Sequence, residues 1–101
     1  EKIDPLPGLH APVTRRRPDG SPGAEGWHPE QKLTMVETVH AFTTAAAVTS
    51  GQETQLGSVT PGKLADFTIF GQDIFTIPAD ELMDVTVDGT IVDGQFNHRT
   101  F

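Results

Sequence analysis

The stretch LGSVTPGKLADFTIF, from Leu56 to Phe70, sets the direction of the chain. Pro61 fixes φ near the value needed at the second position of a tight turn, and Gly62 supplies the positive φ of the third. Thr60-Pro61-Gly62-Lys63 therefore reads as a type II turn. Beyond it, Phe67 and Ile69 point to one side of a strand while Thr68 and Phe70 point to the other, and Gly71 ends the run. Asp66, at the strand entry, is placed to accept hydrogen bonds from turn amides. The Gly-Lys pair is not a phosphate loop: Leu64 stands where that motif requires Ser or Thr, so nucleotide binding is excluded here.

Upstream of the turn the spacing predicts a helix from about Thr34 to Ser50. Thr34 and Glu37 form a capping box, Met35, Val39, Phe42 and Ala46 recur on one face, and Gly51 stands where a C-terminal stop belongs. Ala45-Ala46-Ala47 lets a neighbouring backbone approach closely. Downstream, a short helical turn is expected near Pro78 to Leu82, then strands at Val85 to Val87 and Thr90 to Phe96. Asp88-Gly89 is the hairpin turn in this reading, and Gly94 permits a bulge or a second turn.

Residues 1–30 differ in character, because six of the eight prolines lie there and Arg15 to Pro29 is almost free of aliphatic side chains. The segment reads as a long loop, with Leu6, Leu9, Val13 and Trp27 leaning on a surface. Loops of that length inside compact domains are uncommon unless they are functional or disordered.

At 101 residues the chain is one domain's worth of protein or a piece of something larger. Seven basic against fourteen acidic side chains give a net charge of -7, which opposes binding to phosphate backbones and anionic membranes. Nucleic acid and membrane are accordingly not expected partners. With no cysteine there is neither a disulfide framework nor a thiolate metal site.

The residues that carry chemistry elsewhere are scattered here. His10, His28, His40 and His98 form neither a His-x-His pair nor a His-Glu-x-x-His helix. His40 reads as a helix-flank histidine, His98 as solvated, and His28 as making a loop contact. Asp19-Gly20, Asp88-Gly89 and Asp93-Gly94 are turn pairs, and Asp80 with Glu81 suits an exposed helical turn. Ser21, Ser50 and Ser58 lack a nucleophile-elbow setting. Arg15-Arg16-Arg17 reads first as a solvated or ion-paired loop, with an anion contact at a mouth or interface as its functional alternative. No catalytic, cofactor-binding or metal residue is nominated.

Taken in order, "IDPLPGLHAPVTRR", "GWHPEQKLTMVETVHAFTTAAAVTSGQE", "LGSVTPGKLADFTIF" and "DVTVDGTIVDG" resemble the C-terminal end of the amidohydrolase superfamily, in the branch of N-substituted formamide deformylase-like enzymes. The likeness covers nearly the whole chain. It implies an α+β fragment: residues 1–55 as the end of a (β/α)8 barrel, loop and closing helix, and residues 56–101 as a portion of a small antiparallel β-sandwich made from both ends of the protein. Enzymes of this kind bind one or two divalent metals, commonly zinc, through a His-x-His, a bridging Lys or Glu, two later histidines and an Asp. None of those motifs stands in this chain, and Asp4 does not match the position of the metal-binding Asp.

Two functions follow as expectations. One is a C-terminal fragment of a metal-dependent hydrolase of amide-type C–N bonds, itself inactive and without a cofactor, whose partners are the missing N-terminal region and further copies of itself. The start at Glu1-Lys2, without an initiator methionine, favours this reading. The other is a free-standing, non-catalytic binding or assembly module.

Overall fold

The fold is described from a computed structural model, over residues 4–101. The chain forms two compact units, residues 4–39 with Asp73–Val85, and His40–Gln72 with Thr86–Phe101.

The first unit corrects the expected long loop, because Pro5–Thr14 is a helix, α1. The Asp4 side chain caps it, accepting from the Leu6 N–H at 3.0 Å, and Leu6, Leu9, His10 and Thr14 fall on one buried face. Pro5 and Pro7 look like helix breakers but occupy the first turn, where backbone N–H groups have no intrahelical acceptor. Only Pro12 removes a helical hydrogen bond. Arg15 ends the helix in the left-handed region (φ 52°), its N–H donating to Ala11 O at 2.7 Å.

The segment after α1 is a closed loop. Trp27 N–H donates to Arg15 O at 2.9 Å, drawing the two ends together. Gly26 makes that neck feasible: its φ is +84°, and a methyl there would stand 2.2 Å from Thr14 O. Trp27 itself is 61% exposed, so of the four side chains expected to lean on a surface only Leu6 and Leu9 are buried. After a 3-10 turn at Pro29–Gln31, Leu33 N–H reaches Pro12 O at 3.0 Å.

The capping box forms as read. Thr34 Oγ1 accepts from the Glu37 N–H at 3.1 Å and Glu37 Oε1 accepts from the Thr34 N–H at 2.9 Å. The bond from the Thr34 amide holds the Glu37 carboxyl below its usual range. The helix it starts, α2, spans Met35–Phe42, and Thr38 is its buried residue, turning its hydroxyl onto Thr34 O at 2.8 Å. The unit's core is Leu6, Leu9, Ile74, Leu82 and Val85, with α1 packed on the 3-10 helix Ala79–Asp84, close to the expected helical turn.

In the second unit the expected single helix is interrupted. α2 ends at Phe42 and a separate helix, α3, runs Thr44–Thr49, with Thr43 between them at φ -116° and ψ -86°. The break coincides with a close approach of the Gly57 backbone, whose carbonyl accepts from Thr44 Oγ1 at 2.8 Å. A methyl on Gly57 would lie 2.7 Å from Ala47 Cβ, so the small-residue run admits a backbone as expected, here that of a loop. The apolar face is less buried than its spacing implies: Met35 and Val39 are half-buried, and Phe42 is 57% exposed. Gly51 takes its stop position at φ +72°.

Strand β1 is Phe67–Phe70, as predicted. It pairs antiparallel with β2, Val87–Val92, which pairs antiparallel with β3, Gln95–Arg99, in the order β1-β2-β3. The hairpin turn is Asp93-Gly94 rather than Asp88-Gly89. A type I′ turn needs positive φ at both central residues, and Asp93 (+50°) and Gly94 (+76°) supply it. Asp88-Gly89 lies within β2, where Gly89 faces Ile69 across the sheet and an added methyl would come 3.2 Å from Ile69 Cδ1. Asp88 is held there by accepting from the Thr86 hydroxyl at 2.6 Å and, through its carbonyl, from the Thr100 N–H at 2.9 Å.

Candidate functional site

The Pro-Gly-Lys turn is tied together by its own side chains. Lys63 N–H donates to Thr60 O at 3.1 Å and Gly62 has φ +94°, as a type II turn requires. Lys63 then folds back over its own loop: Nζ donates to Ser58 Oγ at 2.8 Å and to Leu56 O at 3.4 Å, while Ser58 Oγ lies 2.8 Å from Thr60 Oγ1. Leu64 N–H closes the base of the loop on Gln55 O at 2.8 Å.

The Ala-Asp pair that follows has a structural purpose of its own. Asp66 Oδ1 accepts from the Asp93 N–H at 2.8 Å, and Ala65 O accepts from the Gly94 N–H at 2.9 Å. Two successive amides of the β2–β3 turn are thus bound by two successive residues before β1. The turn amides expected for Asp66 belong to the far hairpin rather than to its own turn. Asp66→Ala removes one charge-assisted acceptor from an exposed site and is expected to cost about 1 kcal/mol, with Asp66→Asn losing less. Faster amide exchange at Asp93 in the alanine variant checks this; unchanged protection there refutes it.

The histidines do not converge. His10 is buried on α1, at 7% exposure, and burial followed by the nearby Arg16 charge lowers its pKa, against an opposing pull from Asp80. His28 packs edge-on against Trp27 at 4.4 Å and contacts Glu30 at 3.1 Å. His40 is exposed, and His98 Nε2 sits 3.1 Å from Val87 O. Among the described residues no group of three or more His, Cys, Asp or Glu side chains could hold a metal ion.

Because its pKa is lowered, His10 makes stability depend on pH. Above the ordinary histidine value of 6.5 both folded and unfolded chains carry neutral His10, and nothing is lost. As pH falls below it the unfolded chain takes up a proton that the folded chain resists, so stability drops until the folded value is passed. Urea midpoints followed through Trp27 fluorescence are expected to fall between about pH 8 and pH 5.5, and less steeply in His10→Gln. Equal slopes in both proteins would refute the assignment.

The arginine run contributes one ion pair, as first read, and one contact with an aromatic ring. Arg16 pairs through Nη2 with Asp80, within the first unit. Arg15 donates from Nε to Trp27 O and lies over the indole at 5.2 Å from its centroid. These contacts hold the loop. The sequence did not disclose the Arg16–Asp80 pair, since the two are 64 positions apart.

Residues 1–98 match the family described as "Amidohydrolase family". The chain belongs to that family. It is 27% identical over 95 residues to "Putative amidohydrolase YtcJ" of Bacillus subtilis (strain 168), a match covering 94% of this chain and 18% of that relative. The chain thus spans less than a fifth of the length of the relative it matches. No solved structure matches it. No helix among the described residues is long and apolar enough to cross a membrane.

Proposed function

We propose that this chain is the C-terminal structural segment of a longer metal-dependent hydrolase of amide-type C–N bonds, in the formamide deformylase-like branch, with its divalent-metal ligands, commonly zinc in such enzymes, in a part of the protein outside residues 1–101. The observation that carries the reading is the family match over nearly the whole chain, set beside the small share of the relative's length that the chain spans. In this reading residues 1–55, with α2 and α3, close a barrel, and residues 56–101 supply strands to a β-sandwich completed by the rest of the protein.

The second unit supports it physically. Among the described residues its buried hydrophobic side chain is Ala47, while Phe42, Val48, Val92, Phe96 and Phe101 are exposed. A three-stranded sheet with that much uncovered apolar surface and a wholly exposed outer strand gains stability from partners. In isolation the partner is a second copy of the chain, despite the net charge of -7, because charge repulsion is screened beyond roughly 8 Å at physiological salt.

One preparation of the isolated chain tests the reading. It is expected to hold no stoichiometric zinc, to leave N-formyl and N-acyl amines intact, and to lose mass on dilution as copies separate. One tightly bound zinc per chain that disappears in His28→Ala, or a monomer at every concentration that melts cooperatively, would overturn it.

A further inference from the structure

The polar contacts of the Pro-Gly-Lys turn border a cleft of about 270 Å³ within the second unit, lined by Ser58, Val59, Thr60, Pro61, Lys63 and Leu64, with Ala65 and Phe67 behind them. Its volume lies just under the roughly 300–1,000 Å³ of ordinary ligand pockets, so it suits a small molecule. Its lining is divided. Val59, Pro61, Leu64, Ala65 and Phe67 give an apolar wall, while Ser58, Thr60 and Lys63 form one polar corner.

The donors in that corner can be accounted for one by one. The Lys63 ammonium has three N–H groups and spends two, on Ser58 Oγ at 2.8 Å and on Leu56 O at 3.4 Å. Ser58 Oγ, accepting from Lys63, can pass its own hydrogen to Thr60 Oγ1 at 2.8 Å. That arrangement leaves one Lys63 N–H and the Thr60 O–H for a ligand. Both are donors, one carries a full positive charge, and among the cleft-lining residues no carboxylate opposes it. Ser58 Oγ accepts from Lys63, and no histidine or carboxylate stands among the cleft-lining residues to serve as its base, so nothing here activates it as a nucleophile. Binding, not catalysis, is what the corner offers.

We propose that this cleft is a binding site for a small aliphatic carboxylate, its head group on Lys63 and Thr60 and its chain along Val59, Pro61, Leu64 and Phe67. The charge of Lys63 selects the anion and the apolar wall selects the chain, so neither part suffices alone. The site is independent of the catalytic reading above, since it uses only residues of this turn.

The test uses the full chain at low ionic strength, with octanoate, octylamine and inorganic phosphate as probes in amide-resolved NMR titrations. Octanoate is expected to shift the amides of residues 58–67 saturably, with octylamine and phosphate each binding at least about tenfold more weakly. Val59 is 83% exposed, so Val59→Asp places a carboxylate at the rim without disturbing packing; it is expected to weaken octanoate about tenfold or more. Thr60→Val removes the outer hydroxyl but leaves the contacts of Lys63 with Ser58 and Leu56, and is expected to weaken it about threefold. Octylamine binding as well as octanoate would reduce the site to an apolar patch and overturn the proposal. Phosphate binding as well as octanoate, or a Val59→Asp variant that keeps its folded spectrum and its octanoate affinity, would overturn it equally.

Discussion

Leu82→Ala is expected to destabilise the first unit by about 2–5 kcal/mol, because it removes a side chain with no exposed surface from the packing of α1 on the 3-10 helix Ala79–Asp84. Domains of this size are stable by only about 5–15 kcal/mol, so the loss is a large share of the total. Leu82 belongs to a core built from Leu6, Leu9, Ile74 and Val85, which come from two distant stretches of sequence. Trp27, the single tryptophan, lies in this unit and reports its unfolding in urea. Met83, one position on and 37% exposed, is the control: Met83→Ala changes the same helix and is expected to cost under about 1 kcal/mol. Equal midpoints for the two variants would show that Leu82 is not a core residue.

The second large effect is expected in the other unit, at Gly57. Its φ of +98° is one that an L side chain rarely adopts, and a methyl there would meet Ala47 Cβ at 2.7 Å and Thr43 O at 3.1 Å. The backbone penalty is about 1–2 kcal/mol and overpacking adds about 1–3, so Gly57→Ala is expected to cost about 2–4 kcal/mol after a small gain from a stiffer unfolded chain. Ala47→Gly separates the two contributions. In the double variant the clash with Ala47 Cβ is gone while the φ penalty stays, so part of the loss returns. Amide protection in β1 measures both. A Gly57→Ala protein with wild-type protection would mean that the loop does not lie against α3.

Some features were legible because a few neighbouring residues determine them. The capping box of Thr34 and Glu37, the tight turn at Pro61-Gly62 and the strand Phe67–Phe70 are each set by local sterics and hydrogen bonding. The order of motifs was enough to indicate the amidohydrolase family, to which residues 1–98 are matched. The candidate site was legible only in part. The sequence showed that Lys63 follows a turn, but not that it folds back onto Ser58 and Leu56, because the direction of a long flexible side chain depends on which carbonyls the loop presents.

The errors have physical causes as well. The prolines of Pro5–Thr14 suggested a loop, yet two of them stand in the first turn, where they cost nothing, and the buried face of Leu6, Leu9 and His10 supplies the stabilisation that propensity lacks. Two Asp-Gly pairs competed for one hairpin. Local chemistry could not choose between them, since either could adopt a type I′ turn.

By itself, then, the sequence determined the Pro61-Gly62 turn, the helix start and the first strand, each from contacts among residues a few positions apart, and the order of its motifs indicated the family. The tertiary structure decided the rest. Asp93-Gly94 became the hairpin because Ala65 and Asp66 bind its two amides and because Gly89 is needed flat against Ile69. The helix was divided at Thr43 where the Gly57 backbone meets it, and α1 formed where Leu82 and Ile74 could cover its apolar face. Each of those choices depends on a partner more than ten positions away, whose distance no local pattern encodes.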